Sequence, residues 1–179
     1  EALKKKASYV VVPKEKKIKG VNIQRVIKVD NTLKFLNKLS FLKRESTNAK
    51  IIGITGSAGK TSLKNLVGNT LSYYGKTHIS PRSFNNKYGV PLSLSNIEQS
   101  HKFGVFEIGM SKKGEIDNLS RVIKPEIGVI TNIAEAHIEN FKDIKGIAKA
   151  KSEIIKNITP DGSLVVNRDD RFFNFIKNI

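Results

Sequence analysis

From Lys50 onward, short apolar runs alternate with stretches in which apolar residues recur every three or four positions. The runs predict strands at Ile51 to Thr55, Thr77 to Ser80, Phe103 to Gly109, Glu126 to Ile133 and Ser163 to Asn167. The periodic stretches predict helices at Lys60 to Tyr74, Lys113 to Ile123, Asp143 to Ile158 and Asp169 to Ile179. Such alternation is the pattern of an α/β domain on a mostly parallel sheet with flanking helices. In its first helix, Leu63, Leu66, Val67, Leu71 and Tyr74 predict the buried face. Before Lys50 the pattern differs. Tyr9 to Val12 and Ile23 to Val29 read as β-type runs separated by the lysine-rich stretch Lys14 to Gly20. After Asp30, a plausible N-cap, Leu33, Leu36, Leu39 and Leu42 with Phe35 predict a helix that stops near Glu45. Ser46 to Ala49 is a small polar connector, so the expected units are residues 1–48 and 49–179.

Composition narrows the class. With 179 residues, 39% hydrophobic and 27% charged, the chain can build an ordinary core and does not read as disordered. Cysteine is absent, which excludes disulfides, a Cys-based zinc site and thiol catalysis and fits a reducing compartment. No apolar stretch approaches the roughly 20 residues of a membrane helix, and the N-terminal lysines are not followed by a signal-type apolar block. The expectation is a soluble cytoplasmic protein without membrane insertion. Its first residue is Glu1 rather than Met, which suggests a fragment.

The formal charge of +16 points toward polyanions until its distribution is read. Residues 1–50 carry 14 Lys+Arg against 4 Asp+Glu, a net of +10, which leaves +6 for the remainder. Most of the charge therefore lies outside the α/β part.

The chemistry-bearing pattern begins where Ile51 to Thr55 runs into Gly56-Ser57-Ala58-Gly59-Lys60-Thr61-Ser62. A strand, a Gly-rich turn and a helix N-terminus aim consecutive backbone N–H groups and the helix dipole at an anion. Lys60 would lie against the β and γ phosphates of a nucleotide, and the Thr61 hydroxyl would reach Mg²⁺. The spacing is a shortened GxxGK[ST], with Ile54 where the longer pattern has its first glycine. A plain strand-to-helix turn is the alternative.

Three further groups stand out. Glu107 lies among apolar residues in a strand, where a carboxylate is rare unless paired or metal-bound; an edge-strand Glu facing solvent is the bland reading. His137 follows the strand ending at Ile133, either as an ordinary loop histidine or as a ligand. Lys151 falls in the middle of the apolar stripe formed by Ile144, Ile147, Ala148, Ile154 and Ile155, where a lysine must snorkel, pair or change its charge. Lys145, Lys149 and Lys156 point elsewhere, and His78 and His101 have no comparable context.

Together these segments resemble the Mur ligases, ATP-dependent amide-bond-forming enzymes of bacterial cell-wall precursor synthesis. Ile54 to Ser62 is similar to their phosphate loop and Glu107-Ile108-Gly109-Met110-Ser111 to their acidic strand end. Thr131-Asn132 through His137 is similar to their histidine segment, Ala148 to Glu153 to the helix whose lysine is carbamylated, and Gly162 to Asp170 to a later strand and its Asn-x-Asp-Asp turn. Phe84 to Ser93 and Ala136-His137 most resemble the branch that adds D-alanyl-D-alanine, and Gly20 to Leu42 resembles the end of that branch's UDP-substrate domain.

The resemblance implies a P-loop-type central domain preceded by the end of a smaller α/β substrate domain, the central domain being incomplete at its C-terminal end. It implies ATP, two Mg²⁺ ions and a CO₂-derived carbamate on Lys151, with UDP-MurNAc-tripeptide and D-Ala-D-Ala as substrates and a monomeric state. Gly56 to Ser62 would bind nucleotide, Thr61 and Glu107 the first Mg²⁺, His137 and carbamylated Lys151 the second, and Asn85 and Asn86 substrate. Lys60, His137 and Lys151 would serve catalysis, and the 179 residues alone would ligate nothing at a useful rate. Other Mur ligases, folylpolyglutamate synthases and a nucleotide-binding regulatory paralogue remain open alternatives. A basic nucleic-acid-binding P-loop ATPase would leave Glu107, His137 and Lys151 without roles, so no nucleic-acid partner is expected.

Overall fold

The computed structural model describes residues 2–3, 5–20 and 22–179. Its first part is a two-stranded parallel pair, β1 (Val10–Pro13) and β2 (Val26–Val29), with Val10 opposite Val26. The expected strand from Ile23 is shorter, because the Asn22 side chain accepts a hydrogen bond from Gln24 N at 2.9 Å and turns Ile23–Arg25 into a 3₁₀ segment. Helix α1 (Thr32–Glu45) follows, capped by Asn31 rather than Asp30: its Oδ1 accepts from Lys34 N at 2.9 Å. The leucine row that predicts this helix is covered only at its start. Leu33 and Leu36 are half-buried, whereas Leu39 and Leu42 are exposed. A strict spacing of three falls about 60° short of a full revolution at each step, so the row walks off the buried face.

Arg44 locks the end of α1 to the segment between Ile123 and Glu126. Its guanidinium donates to the carbonyls of Ile123 and Lys124 at 2.7 and 2.9 Å and to Glu126 Oε1 at 2.8 Å. The other oxygen of Glu126 accepts from Ile51 N at 2.6 Å, where the first central strand begins.

That strand is β3 (Lys50–Thr55), the middle of a five-stranded, all-parallel sheet with β4 (Thr77–Ile79), β5 (Phe103–Glu107), β6 (Ile127–Ile130) and β7 (Ser163–Val166). The order is β4-β5-β3-β6-β7. From β3 the chain goes to the edge strand β4, returns to β5 beside β3, and then crosses to β6 and β7 on the other side, so the carboxyl end of β3 lies at the change of winding, where ligands of open α/β sheets bind.

Residues Ile51 to Thr55 are all buried, as a strand covered on both faces requires. Alternation divides them between two layers. Ile51 belongs to a core with Phe106, Ile108, Ile123, Ile147 and Ile154, while Ile52 and Ile54 pack with Val105 beneath Leu63, Val67 and Leu71. The latter three lie on α2 (Lys60–Ser72), which ends before the expected Tyr74. Leu66 and Tyr74 are exposed, and the buried face holds Lys64 and Gly68 instead.

The remaining helices are α3 (Gly89–Leu94), α4 (Glu115–Ile123), α5 (Ile144–Ser152) and α6 (Phe173–Lys177). Helix α3 was not expected from the sequence pattern. The helix expected to run to Ile158 becomes 3₁₀ at Glu153–Asn157, and the one expected from Asp169 begins later because Asp170 Oδ1 accepts from Phe172 N at 2.8 Å and makes a turn. Strand β5 stops at Glu107, and β6 is shorter at both ends than Glu126 to Ile133. Strand β7 forms one edge of the sheet, with alternating burial and Val165 51% exposed. Among the described residues no helix is long and apolar enough to cross a membrane.

Candidate functional site

The Gly-rich turn joins the carboxyl end of β3 to α2. Gly59 sits at the N-cap with φ +78°, and no side chain caps the helix, leaving its first N–H groups turned outward. Gly56 has φ +146°, and a Cβ there would meet Thr131 Oγ1 at 1.8 Å. Its glycine is thus demanded by the neighbouring loop, in addition to any approach of phosphate. That loop supports the turn closely: Ser57 N donates to Asn132 O at 3.0 Å, Ala58 N to Asn132 Oδ1 at 2.9 Å, and Thr131 Oγ1 to Ala58 O at 2.6 Å. Asp170 holds the loop in turn, accepting from Ile133 N at 2.7 Å.

Lys60 folds back over the turn, donating to the carbonyls of Gly56 and Ser57 at 2.9 and 3.3 Å. Burial pushes its pKa down, partly offset by the charge of Glu107. Glu107 is 2% exposed on a strand flanked by β3 and β4, so the edge-strand alternative does not hold. Its Oε2 accepts from Thr61 Oγ1 at 2.7 Å and its Oε1 from Asn85 Nδ2 at 2.7 Å. A hydroxyl and a carboxylate in contact are a donor set suited to a hard divalent cation.

A cavity of about 580 Å³ opens beside this cluster, lined by Gly56, Lys60, Asn85, Asn86, His137 and Lys151 among others. Lys151, on α5, is 3% exposed and makes no ion pair among the described residues. Burial, with the charge of Lys60 added, brings its pKa down to about 7. Snorkelling into solvent is therefore not how its cost is met. His137 lies across the same cavity in a left-handed backbone conformation, 52% exposed, with Nδ1 3.7 Å from Glu139 Oε1. Asn86 Oδ1 accepts from Tyr88 N and Gly89 N, both at 3.0 Å, and so starts α3. Ala58, Gly59 and Ser62 are exposed around the turn. Among the described residues no three His, Asp or Glu side chains converge as a ready metal site.

Two buried groups escaped the sequence reading. Lys64 is 1% exposed and donates to Arg82 O. Glu153, 7% exposed, accepts from Gly114 N at 2.9 and 3.0 Å and from Asp117 N at 3.3 Å, capping α4 from the segment after α5. For Lys64 a signal existed: it shares a helical face with Gly68, and a mid-helix glycine marks close packing.

Fold and site together define a P-loop-type nucleotide-binding α/β domain with acidic and lysine groups gathered at the carboxyl ends of its strands. The family model of the Mur ligase middle domain matches residues 54–179, and the chain belongs to that family. It is 40% identical over 174 residues to a UDP-N-acetylmuramoyl-tripeptide--D-alanyl-D-alanine ligase of Buchnera aphidicola subsp. Acyrthosiphon pisum, covering 97% of this chain and 37% of the relative. Among solved structures, MurF from Acinetobacter baumannii aligns with a TM-score of 0.84 at 35% identity, covering 93% of this chain and 36% of that one. MurF ligase from Thermotoga maritima, in complex with ADP, aligns with a TM-score of 0.83 at 28% identity, covering 99% and 41%. The chain thus spans little more than a third of the length of these relatives.

Proposed function

We propose that this chain is the nucleotide-binding part of a ligase that joins D-Ala-D-Ala to UDP-MurNAc-tripeptide at the expense of ATP in peptidoglycan precursor synthesis. The observation that carries the reading is the convergence of the Lys60 turn and the unpaired, buried Lys151 on one cavity, with the Thr61–Glu107 pair behind it, in a chain of this family. Residues 1–48 would close the substrate domain and residues 49–179 form the ATP-binding one, in a cytoplasmic monomer.

In the reaction, a terminal carboxylate oxygen of the tripeptide attacks the γ-phosphorus and ADP leaves; the amine of D-Ala-D-Ala then attacks the acyl carbon, gives up a proton, and inorganic phosphate leaves. Phosphoryl transfer asks a protein mainly for positioning and charge neutralisation. The turn from Gly56 to Ser62 supplies backbone N–H groups, and Lys60 exchanges its two loop carbonyls for phosphate oxygens. Thr61 and Glu107 fit a first Mg²⁺, and His137 with Lys151 a second; the ions would supply neutralisation of the phosphate charge. Lys151 fits its part through its environment. With a pKa of about 7, much of it is neutral amine at pH 7. That amine adds to the carbon of CO₂ and loses a proton, so an unpaired buried cation becomes an anionic oxygen donor. Asn85 and Asn86 line the same cavity and would meet the substrate there.

The test is the full-length protein given ATP, UDP-MurNAc-tripeptide and a panel of amines. ADP formation that requires D-Ala-D-Ala, with a new amide in the product, is expected. Phosphate release with another amine in preference, or with none, overturns the reading.

A further inference from the structure

Lys64 is the most completely buried charged side chain among the described residues, and the chemistry above leaves it without a task. It lies three residues beyond Thr61 on α2, hence on the same face of the helix. Its ammonium donates to the carbonyl of Arg82, whose backbone is left-handed at φ +47° and whose side chain is exposed. Arg82 starts the segment that brings Asn85, Asn86, Lys87 and Tyr88 to the wall of the cavity.

Contacts close a ring around this segment. Thr61 and Asn85 take opposite oxygens of Glu107, Asn85 O accepts from Gly109 N at 2.7 Å, and Lys64 ties Arg82 back to the helix that carries Thr61. The helix has no room to drift, because a Cβ on Gly68 would meet Ile79 at 2.5 Å, in the strand that leads into the segment. Burial lowers the pKa of Lys64, and the charge of Glu107 opposes that shift.

We propose that Lys64 is a positioning residue that fastens residues 81–88 to the nucleotide-binding helix, so that it serves the acceptor side of the cavity and not the nucleotide side. The assignment of an acceptor side rests on the proposed ligation; the fastening itself does not. Removing the ammonium leaves the Arg82 carbonyl unpaired and frees the segment, while the Thr61–Glu107 hydrogen bond on the nucleotide side stays in place.

The experiment compares full-length wild type with Lys64→Met. Amide hydrogen exchange over residues 83–89 should quicken by about tenfold or more, the loss of roughly one good hydrogen bond. KM for the UDP-linked acceptor should rise about tenfold while KM for ATP stays within about threefold. Unchanged exchange over 83–89, or KM values for both substrates worsening in parallel, overturns the proposal. If Lys64→Met does not fold, Lys64→Arg carries the same comparison, with a smaller displacement in the same direction expected. Should the wild type show no ligation, the proposed function fails, and exchange over 83–89 still decides whether Lys64 fastens the segment.

Discussion

At the scale of single residues, the two most telling side chains are bases made weaker by burial. Lys151 is expected to be indispensable in the intact protein: Lys151→Ala should reduce turnover by at least about a hundredfold, an effect of the size seen when a charge-stabilising group is lost. Short carboxylic acids added to the assay should restore part of it; unchanged turnover in the variant would reject the carbamate. His78 concerns stability alone. It packs against Phe106 and His101, bonds Ser93 Oγ at 2.9 Å, and has its pKa driven down to about 4, mainly by burial and further by His101. Above about pH 6.5 the ring is neutral in folded and unfolded chains alike and contributes no pH dependence. Below that value the unfolded chain takes up a proton that the folded one refuses. Stability should therefore fall as pH drops toward 4, by up to about a factor of ten in the folding constant per pH unit. Urea titrations at pH 7 and 5 should show this decline in the wild type and a smaller one in His78→Gln.

Elements were legible where their signal is local. The buried run Ile51 to Thr55, the glycine turn and the N-terminal half of α5 could be read directly because each is specified by contiguous residues. The helix ends were set by partners that a linear reading does not see. Helix α3 escaped because Gly89 and Pro91 argue against a helix, although proline is tolerated in a first turn. The site divides in the same way: Lys60 and Thr61 announce themselves by spacing, whereas the partners of Lys64 and Glu153 lie 18 and 39 residues away. Glu153 also supplies the test at this scale. Its carboxylate is the cap of α4, which starts at Gly114 in a left-handed turn without a side-chain cap of its own. Glu153→Ala should cost about 2 kcal/mol in denaturant unfolding, since a charged acceptor for several N–H groups is lost. Glu115→Ala, at a more exposed carboxylate bonded to Ser111 N and Lys112 N, should cost less.

For the whole molecule, charge and length acquire a different meaning once the parts are placed. Of the net +16, +10 falls in residues 1–50, ahead of the phosphate turn. The lysines proposed to serve the chemistry, half-buried Lys60 and buried Lys151, are weaker bases for their burial. Arg44 binds the end of α1 to the carboxyl end of α4 and to Glu126, which holds this helix against the sheet. The 179 residues should bind an ATP analogue in equilibrium dialysis and yet form no amide with both substrates present, because they cover little more than a third of their relatives. Substrate-dependent ADP release by this piece would refute that division of labour.

The outer strand of the sheet has a consequence for handling the protein. One side of β7 offers N–H and C=O groups to whatever strand arrives, and Val165 stands exposed there instead of a charged gatekeeper. Concentrated solutions of the 179-residue chain should therefore self-associate through strand addition, seen as light scattering that grows with concentration. Val165→Lys should suppress it without altering the melting temperature by more than a few degrees, roughly the effect of a surface substitution.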